Sequence, residues 1–598
     1  MKKILLVLVW IALCLPMLAK PAKPGPISYL QPDGSVIKIF LHGDEWGHWV
    51  TNEQGKVLIR EADGSFRVNP DTDFERESVA AARKRAYQRQ QLESRMQASD
   101  RHVAVGQKHF LVILVAFNDL DFKTENPQAT VYSMLNDPGY SGNGATGSAR
   151  DFYYESSNGY FEPIFDVYGP VKLSKDMSVY GGNTAQGGDR DPQGAVSEAC
   201  KLLDDEVDFS RYDNDSDGVV DMVFMIYAGY GEADTGRADT IWPHMSYLTS
   251  SGINLRLDGK RLDKYACANE LAGSGALRGK LDGIGAVCHE FGHTMGLPDF
   301  YDTDYTTNGY TRGTYDFSVM CEGTYNNESR TPPFFNTEER ILLGWADESA
   351  LLEFPRNGEF QLEAYRPDLG NATAYVIPTE MEGEYFLLEC RGNEGWDSGL
   401  SGNGLLIYHA DKSSRSITLW QGTAYQTNVS ASALWANWEY YNALNENGSH
   451  PCFYTVCAAS QSSYNYSGGS DKIVFPGKSK ITSFTPQSWD GEETEIVLSK
   501  IAYADNVATF TVSGKGSSAL GWPIIDNPGK GTYKAGKAFN LSLQLPQDYD
   551  LDSVQWTFDG EVVTATSVNL TAGTHVVEAT VVKKDGDKDI VTLEITAK

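Results

Sequence analysis

The chain has 598 residues, of which 41% are hydrophobic and 22% charged, a balance that is ordinary for globular protein and a length that suits three or four domains. The formal net charge of −30 argues against a nucleic-acid partner, because a phosphate backbone would be repelled. Beyond the first residues, no segment has the run of apolar residues that a membrane span requires, and we expect a monomer without a membrane span.

Residues 1–19 have the pattern of a secretory signal peptide. Lys2 and Lys3 form the basic start, an apolar run follows from Ile4 to Leu15, and Ala19 is a small residue suited to cleavage. The protein is therefore expected to be secreted or held at the cell surface. The alternative is an uncleaved anchor.

Residues 20–105 are interpreted as a pro-segment, which would make the protein a zymogen. Short alternating patterns at 36–41, 48–50 and 56–59 predict strands, and the charged stretch 75–97, free of Gly and Pro, predicts a solvated helix. The alternative is a permanent N-terminal domain. Four polar residues of this segment either occupy a metal in a latent form or belong to a solvated turn: His42, Asp44, Glu45 and His48.

The next unit, residues 106–350, begins with the apolar run 110–117, which predicts a buried strand. Helical patterns follow near 148–156, 193–205 and 336–343. Between them, carboxylates at alternate positions predict a structural calcium loop whose ligands are Asp213, Asp215, Asp217 and Asp221. Position twelve of this loop is Phe224 and a strand pattern follows, so the loop is not an EF-hand. A solvated acidic turn is the alternative.

The strongest motif of the chain is H-E-x-x-H-x-x-G-x-x-D, from His289 to Asp299. On a helix, His289 and His293 leave the same face, which suits two of the three protein ligands of a catalytic zinc with the fourth position left to water. Glu290 is placed to act as the general base for that water. Gly296 is expected to end the helix, and the turn after it returns Asp299 as the third ligand.

Other residues near this motif have weaker signals. Met320 is interpreted as the methionine of a Met-turn beneath the zinc, as in metzincins. Tyr325 either contacts the substrate or oxyanion or is a packed aromatic residue, and His244 either contacts substrate or is structural. Asp282 is expected to be the N-cap of the zinc helix.

Two β units are expected to complete the chain. Residues 351–514 alternate apolar runs with Gly, Asn and Ser turns, which predicts a β-rich domain, and residues 515–598 predict an immunoglobulin-like β-sandwich. His409 and Asp411 are interpreted as a strand end rather than a metal site. Seven cysteines follow the predicted signal, an odd number whose pairing the spacing does not reveal.

Four stretches of the sequence resemble the immune inhibitor A family of secreted bacterial metalloproteases. They are 213–232, 241–244, the motif ending at Asp299, and 384–389 continuing to 411. The resemblance implies secretion, latency and zinc-dependent endopeptidase activity, with His289, His293 and Asp299 as zinc ligands and Glu290 as the base. The fold class expected is a multidomain α+β protein: a metzincin-like zincin domain with an N-terminal pro-segment, a β-rich domain and a C-terminal immunoglobulin-like sandwich.

The substrates expected are extracellular proteins or peptides. Two alternatives remain open at this stage. One is a surface adhesin or glycan-binding protein with a vestigial protease domain, and the other is a protease directed at host glycoproteins of the mucin type. The cofactors expected are Zn²⁺ at the catalytic site and Ca²⁺ in the acidic loop.

Overall fold

The computed structural model describes residues 20–44, 47–61, 63–69, 104–184, 188–303, 311–346, 350–355, 357–367, 374–413, 419–420, 425–426, 444–445, 447–514, 524–526, 532–545, 549–583 and 588–598. The predicted secretory signal and the predicted helix at 75–97 lie outside these residues. Within them, no helix is both long enough and apolar enough to cross a membrane.

The N-terminal unit is a five-stranded antiparallel sheet in which each strand pairs with the next along the chain. Its small core consists of Ile39, Leu41, Leu58 and Phe66. Such a small core leaves the sheet dependent on its contacts with the rest of the protein. The strands are β1 (Pro26–Leu30), β2 (Val36–Asp44), β3 (Gly47–Thr51), β4 (Val57–Arg60) and β5 (Phe66–Val68).

This sheet docks on the central domain through buried polar and aromatic contacts. His48 Nε2 lies 2.8 Å from the Glu232 carboxylate, and the His48 ring stacks on Trp242 with ring centres 4.8 Å apart. Ala22 packs against Ala233 and Trp242. His48 is expected either to occupy a metal or to lie in a solvated turn, and the structure shows neither arrangement, because its ring faces Glu232.

The central domain is built on a five-stranded sheet in the order β7-β6-β8-β12-β9, parallel except for β9. The predicted buried strand is its second strand, and both faces are covered, as its continuous apolar run requires. The strands of the domain are β6 (Gly106–Ala116), β7 (Phe161–Lys172), β8 (Val223–Tyr230), β9 (His244–Tyr247), the small hairpin β10 (Leu255–Leu257) and β11 (Lys260–Leu262), and β12 (Lys264–Leu271).

The helices of the central domain are α1 (Pro127–Asn136), α2 (Ala149–Ser156), α3 (Met177–Gly181), α4 (Pro192–Leu202), α5 (Gly285–Thr294) and α6 (Thr337–Leu342). Helix α5 carries the metal motif and lies against the sheet through Phe291. The Phe291 ring contacts Phe110, Phe161 and Phe165 at centre distances of 4.8 to 6.3 Å. This aromatic packing directs Phe291 into the core and fixes the rotation of the helix.

The β-rich domain contains two larger sheets and shares a core with the central domain. Buried residues such as Tyr408 and Phe453 belong to the same apolar cluster as Phe291, so the core crosses the predicted boundary at residue 351. The strands are β13 (Leu351–Glu353), β14 (Gly358–Glu363), β15 (Ala374–Pro378), β16 (Glu384–Arg391), β17 (Gly404–Asp411), β18 (Leu419–Trp420), β19 (Tyr425–Gln426), β20 (Phe453–Thr455), β21 (Val497–Ala504) and β22 (Val507–Ser513).

The C-terminal unit is formed entirely of strands within its described residues. A five-stranded sheet and two short strand pairs enclose a core around Phe539, Val577 and Ile595. The immunoglobulin-like class of this unit stays a prediction. The strands are β23 (Ile524–Ile525), β24 (Thr532–Tyr533), β25 (Ala538–Asn540), β26 (Leu543–Gln544), β27 (Tyr549–Phe558), β28 (Glu561–Val563), β29 (Ser567–Asn569), β30 (Gly573–Lys583) and β31 (Lys588–Ala597).

Docking of the N-terminal sheet should depend on pH through His48. Burial alone would lower the pKa of His48, but the Glu232 carboxylate more than offsets it, so the pKa lies above its ordinary value. A raised folded-state pKa means that this stabilisation is complete below about pH 6.5 and is lost as the pH rises through the raised value. Hydrogen exchange of β2 amides, corrected for intrinsic rates, should therefore accelerate on the alkaline side.

The matched control is His42→Gln in the same sheet. Burial lowers the pKa of His42, so this residue contributes no alkaline loss, and the control should behave as the unsubstituted chain does. The variant His48→Gln should remove the pH dependence. An unchanged alkaline profile in His48→Gln would contradict the assignment.

Candidate metal centre

Helix α5 and the turn after it bring three potential ligand atoms together. His289 Nε2 and His293 Nε2 are 3.0 Å apart on one face of the helix. The helix ends at Thr294, and Gly296 reverses the chain with a φ of 97°, a conformation that favours glycine. Asp299 Oδ1 consequently lies 3.2 Å from the first imidazole nitrogen and 3.3 Å from the second.

Two backbone carbonyls select the imidazole tautomer. His289 Nδ1 lies 2.7 Å from the carbonyl oxygen of Val319, and His293 Nδ1 lies 2.8 Å from that of Leu297. Because a carbonyl only accepts, each Nδ1 carries the proton and donates it. Each Nε2 therefore presents a lone pair toward the other and toward Asp299, which is the arrangement that metal-binding histidines require.

The three ligand atoms fit a divalent metal ion. Bonds of about 2.0–2.1 Å to a tetrahedral ion place neighbouring ligand atoms about 3.3 Å apart, close to the separations seen here. All three side chains are buried. Two lone pairs and a carboxylate held this close without water would repel one another, and a cation among them removes that repulsion.

Electrostatics at the site agree with this arrangement. Burial disfavours ionisation of Asp299, but the neighbouring His293 and His289 overcome it and hold the pKa of this carboxyl well below its usual range. Burial is the main cause that lowers the pKa of His289, so its ring is neutral near pH 7. A neutral imidazole and an ionised carboxylate are the metal-binding forms of these side chains.

Glu290 lies beside the three ligands and is fully buried. Burial raises the pKa of its carboxyl well above the ordinary value. Oε1 accepts a hydrogen bond from the backbone nitrogen of Lys20 at 2.9 Å, and Oε2 has no hydrogen-bond partner within the described residues. A carboxyl of raised pKa, with one oxygen available, is suited to taking and returning a proton.

Comparison with known proteins agrees with this geometry. Residues 104–339 match the family model described as the immune inhibitor A peptidase M6 catalytic domain. This segment belongs to the immune inhibitor A peptidase family. The family is one of metalloproteases and so implies a metal ion.

Two curated relatives match over part of their length. The chain is 28% identical over 264 residues to the pre-pro-metalloprotease PrtV of Vibrio cholerae, covering 37% of this chain and 28% of that protein. It is 29% identical over 215 residues to immune inhibitor A of Bacillus thuringiensis subsp. alesti, covering 32% of this chain and 31% of that protein. The chain thus spans about three-tenths of each relative's length.

A solved structure of OgpA from Akkermansia muciniphila aligns over 82% of this chain and 95% of its own. Its identity is 7% and its TM-score is 0.21. A TM-score this low supports no argument about a shared fold.

Met320 of the peptidase domain lies directly beneath α5, where the sequence predicts a Met-turn. A Cβ added at Gly292 would meet the Met320 sulfur at 2.7 Å, so only a glycine at this helix position lets the methionine approach so closely. The Met320 nitrogen donates to Ser318 Oγ at 2.9 Å, and Ser318 in turn bonds Glu339. The turn is therefore tied to α6, in which Glu339 also closes the capping box.

Tyr325 and His244 differ in their access to the site. The Tyr325 hydroxyl donates to the Pro21 carbonyl at 2.7 Å, so this side chain contacts the N-terminal segment that lies beside Glu290. His244 is buried, with its ring nitrogens 2.6 Å from the Trp242 carbonyl and 2.7 Å from the Tyr265 hydroxyl. Burial lowers the pKa of His244 to about 3. The neutral His244 thus supports the backbone at Trp242 and does not itself reach the cleft.

The acidic loop gathers three of its four predicted carboxylates. Asp213, Asp215 and Asp217 each place an oxygen within 4.8 Å of the others. Asp221 instead accepts hydrogen bonds from Asn214. The Lys260 ammonium lies 2.6 Å from Asp213 Oδ2 and partly neutralises the cluster.

Several contributors to the site lack a signal in the sequence. The carbonyls of Val319 and Leu297 act through backbone atoms, which any residue supplies. Gly292 is identifiable only once Met320 is placed beneath it.

Asp282 is not the N-cap that we predicted. Helix α5 begins after Ile284, and the Asp282 carboxylate accepts hydrogen bonds from the Gly283 nitrogen and from Asn269.

Proposed function

We propose that this chain is a secreted zinc-dependent endopeptidase with a metzincin-like active site. The observation that carries the proposal is the convergence of His289, His293 and Asp299 within 3.0–3.3 Å, next to a buried Glu290. Two imidazoles and one carboxylate are a known ligand set of catalytic zinc. The position of Met320 beneath α5 supports the metzincin-like arrangement.

The protein's own residues would divide the work of hydrolysis as follows. A bound zinc would supply Lewis acidity toward the peptide carbonyl and acidify a water molecule. Glu290 takes one proton from that water as its oxygen bonds to the carbonyl carbon, and then gives the proton to the amide nitrogen as the C–N bond breaks. The products are a carboxylate and an amine. The raised pKa of Glu290 suits a group that must hold a proton between these two steps.

The position of the N-terminal segment supports latency. The backbone nitrogen of Lys20 donates a hydrogen bond to Glu290 Oε1, and Lys20 itself is only 1% exposed. A substrate backbone cannot reach Glu290 while this segment is present. We therefore infer that the N-terminal sheet acts as a pro-segment that must leave before cleavage begins.

The pair Glu290→Gln and Asp299→Asn tests the catalytic assignment. Glu290→Gln should retain one zinc per chain but lower kcat on casein by about 10²–10⁴-fold, because it removes proton transfer and no ligand. Asp299→Asn should lose both zinc and activity, because it removes a ligand. Zinc is measured by elemental analysis and cleavage by release of peptides.

The control for this pair of variants is Asp302→Asn, which changes a buried carboxylate three residues after Asp299. Asp302 Oδ2 accepts a hydrogen bond from the Thr311 nitrogen and is not among the proposed ligands. This variant should keep both zinc and cleavage. Wild-type protein without zinc, or full activity in Glu290→Gln, would count against the proposed function.

Mass spectrometry of the secreted product tests latency. The active species should lack residues 20–69, since these include the segment on Glu290 and the sheet that carries it. The species that retains them should cleave casein at least tenfold more slowly, because the occupied cleft excludes substrate. Equal activity of the two species would show that the N-terminal sheet is a permanent domain without an inhibitory role.

We also propose a structural calcium ion at Asp213, Asp215 and Asp217, since hard cations prefer clustered carboxylate oxygens. Calcium should raise the thermal midpoint of the wild-type chain and bind more tightly to Lys260→Met, in which the competing ammonium is removed. Asp215→Asn should bind more weakly. Calorimetric titration that shows no calcium binding to either wild type or Lys260→Met would identify the loop as an acidic turn.

A further inference from the structure

Residues 20–23 lie beside Glu290 in the way that the residues after the cleaved bond of a substrate would. The Lys20 nitrogen is 2.9 Å from Glu290 Oε1. In the proposed reaction, Glu290 gives its proton to the amide nitrogen that follows the broken bond. The Lys20 nitrogen therefore occupies the position of that substrate nitrogen, and the residues after Lys20 follow the direction of the substrate chain beyond the cut.

The contacts that hold this segment are mostly to its backbone. Trp242 Nε1 donates to the Lys20 carbonyl at 3.0 Å, and the Tyr325 hydroxyl donates to the Pro21 carbonyl at 2.7 Å. The Lys23 nitrogen donates to the carbonyl of Ala233 at 2.9 Å. Because every peptide offers these backbone atoms, the same groups can hold a substrate of another sequence.

The side chain of Lys20 enters a pocket that suits a cation. Its ammonium lies 5.0 Å from the centre of the Tyr325 ring, within the range of a cation–π contact. Asp282, which is 6% exposed, lies near enough for the Lys20 charge to oppose the burial that raises the pKa of its carboxyl. Asp234 is also buried and adds negative charge beside Asp282.

The two carboxylates are held by donors of the central domain itself. The Asp282 carboxylate is held by the Gly283 nitrogen at 2.8 Å and by Asn269 Nδ2 at 2.9 Å. Asp234 Oδ2 is held by the Gly273 nitrogen at 2.7 Å. Backbone and amide donors thus orient both carboxylates in the wall of the cleft, and a neutral side chain in this pocket would leave their charge without a nearby cation.

We propose that Tyr325 and Asp282 form the subsite for the residue immediately after the cleaved bond, and that this subsite selects lysine or arginine. The inference rests on the proposed function and adds a substrate class to it: proteins and peptides cut on the amino side of a basic residue. Tyr325 contributes the ring face and the hydrogen bond to the next carbonyl, and Asp282 contributes the charge.

Cleavage of a peptide library tests the subsite. The library varies only the residue after the cut, and the enzyme is the processed product of the full chain with zinc. Wild type should cleave lysine and arginine peptides with the highest kcat/KM. Asp282→Asn should lower kcat/KM for the lysine peptide by about tenfold and change that for the leucine peptide by less than about twofold, because only the charged side chain loses its partner.

The control substitution is Asp263→Asn. Asp263 is also a buried carboxylate of the same domain, and it accepts a hydrogen bond from the Thr249 nitrogen at 3.0 Å, away from the Lys20 contacts. This variant should keep the lysine preference. Equal cleavage of lysine and leucine peptides by the wild type would overturn the subsite and leave the proposed function standing, whereas no cleavage of any peptide would count against the proposed function.

A second measurement does not use activity. In the unprocessed chain, hydrogen exchange at the amides of Ala22 and Lys23 reports how firmly the segment is held. Asp282→Asn should accelerate this exchange, and so should Lys20→Leu, which leaves the pocket unaltered, while Asp263→Asn should not. Unchanged exchange in both Lys20→Leu and Asp282→Asn would overturn the proposed pocket whatever the library shows.

Discussion

Three electron-rich atoms held within about 3.3 Å of one another are the constraint on which the centre of this molecule depends. The Nε2 atoms of His289 and His293 and the Oδ1 atom of Asp299 all present lone pairs to the same point. Such a cluster is stable only if a cation lies there or if the surrounding structure forces the atoms together. The surrounding structure does force them together, so the site is prepared in advance for the ion that the family implies.

That preparation comes from parts of the chain far apart in sequence. Phe291 fixes the rotation of α5 against the central sheet, and the Val319 carbonyl fixes the ring of His289. The turn that contains Val319 is held from below by the β-rich domain: the buried guanidinium of Arg391 donates to the carbonyls of Phe317 and Phe334 and pairs with Asp397 at 2.6 Å. The apolar core that the central and β-rich domains share also holds this turn in place. The β-rich domain therefore supports the metal centre.

The N-terminal segment completes the electrostatic balance of the cleft. Glu290, Asp282 and Asp234 are buried carboxylates, and the Lys20 charge opposes the burial that raises the pKa of Glu290 and of Asp282. Farther along the same segment, the His48 ring faces the Glu232 carboxylate. One segment thus places positively charged or protonatable groups beside two sets of buried acids, which is the basis of the basic subsite proposed above.

The sequence by itself determined the local elements and pointed to the residues that we propose as metal ligands. Helix periodicity places His289 and His293 on one face, Gly296 ends the helix because it tolerates a positive φ, and the apolar run at 110–117 can only be a buried strand. These features depend on neighbours a few residues apart. The predicted calcium loop is only partly assembled: Asp213, Asp215 and Asp217 come together, whereas the Asp221 carboxylate accepts hydrogen bonds from Asn214.

Only the tertiary structure decided which backbone carbonyls orient the imidazoles, why position 292 is a glycine, and what Asp282 does. Asp282 has the sequence pattern of a helix cap, yet its carboxylate accepts hydrogen bonds from Gly283 and Asn269 because the helix begins two residues later than the pattern predicts. The contact of Lys20 with Glu290 spans 270 residues of chain. No local propensity encodes such a contact, since it arises from packing between units whose relative placement depends on the whole fold.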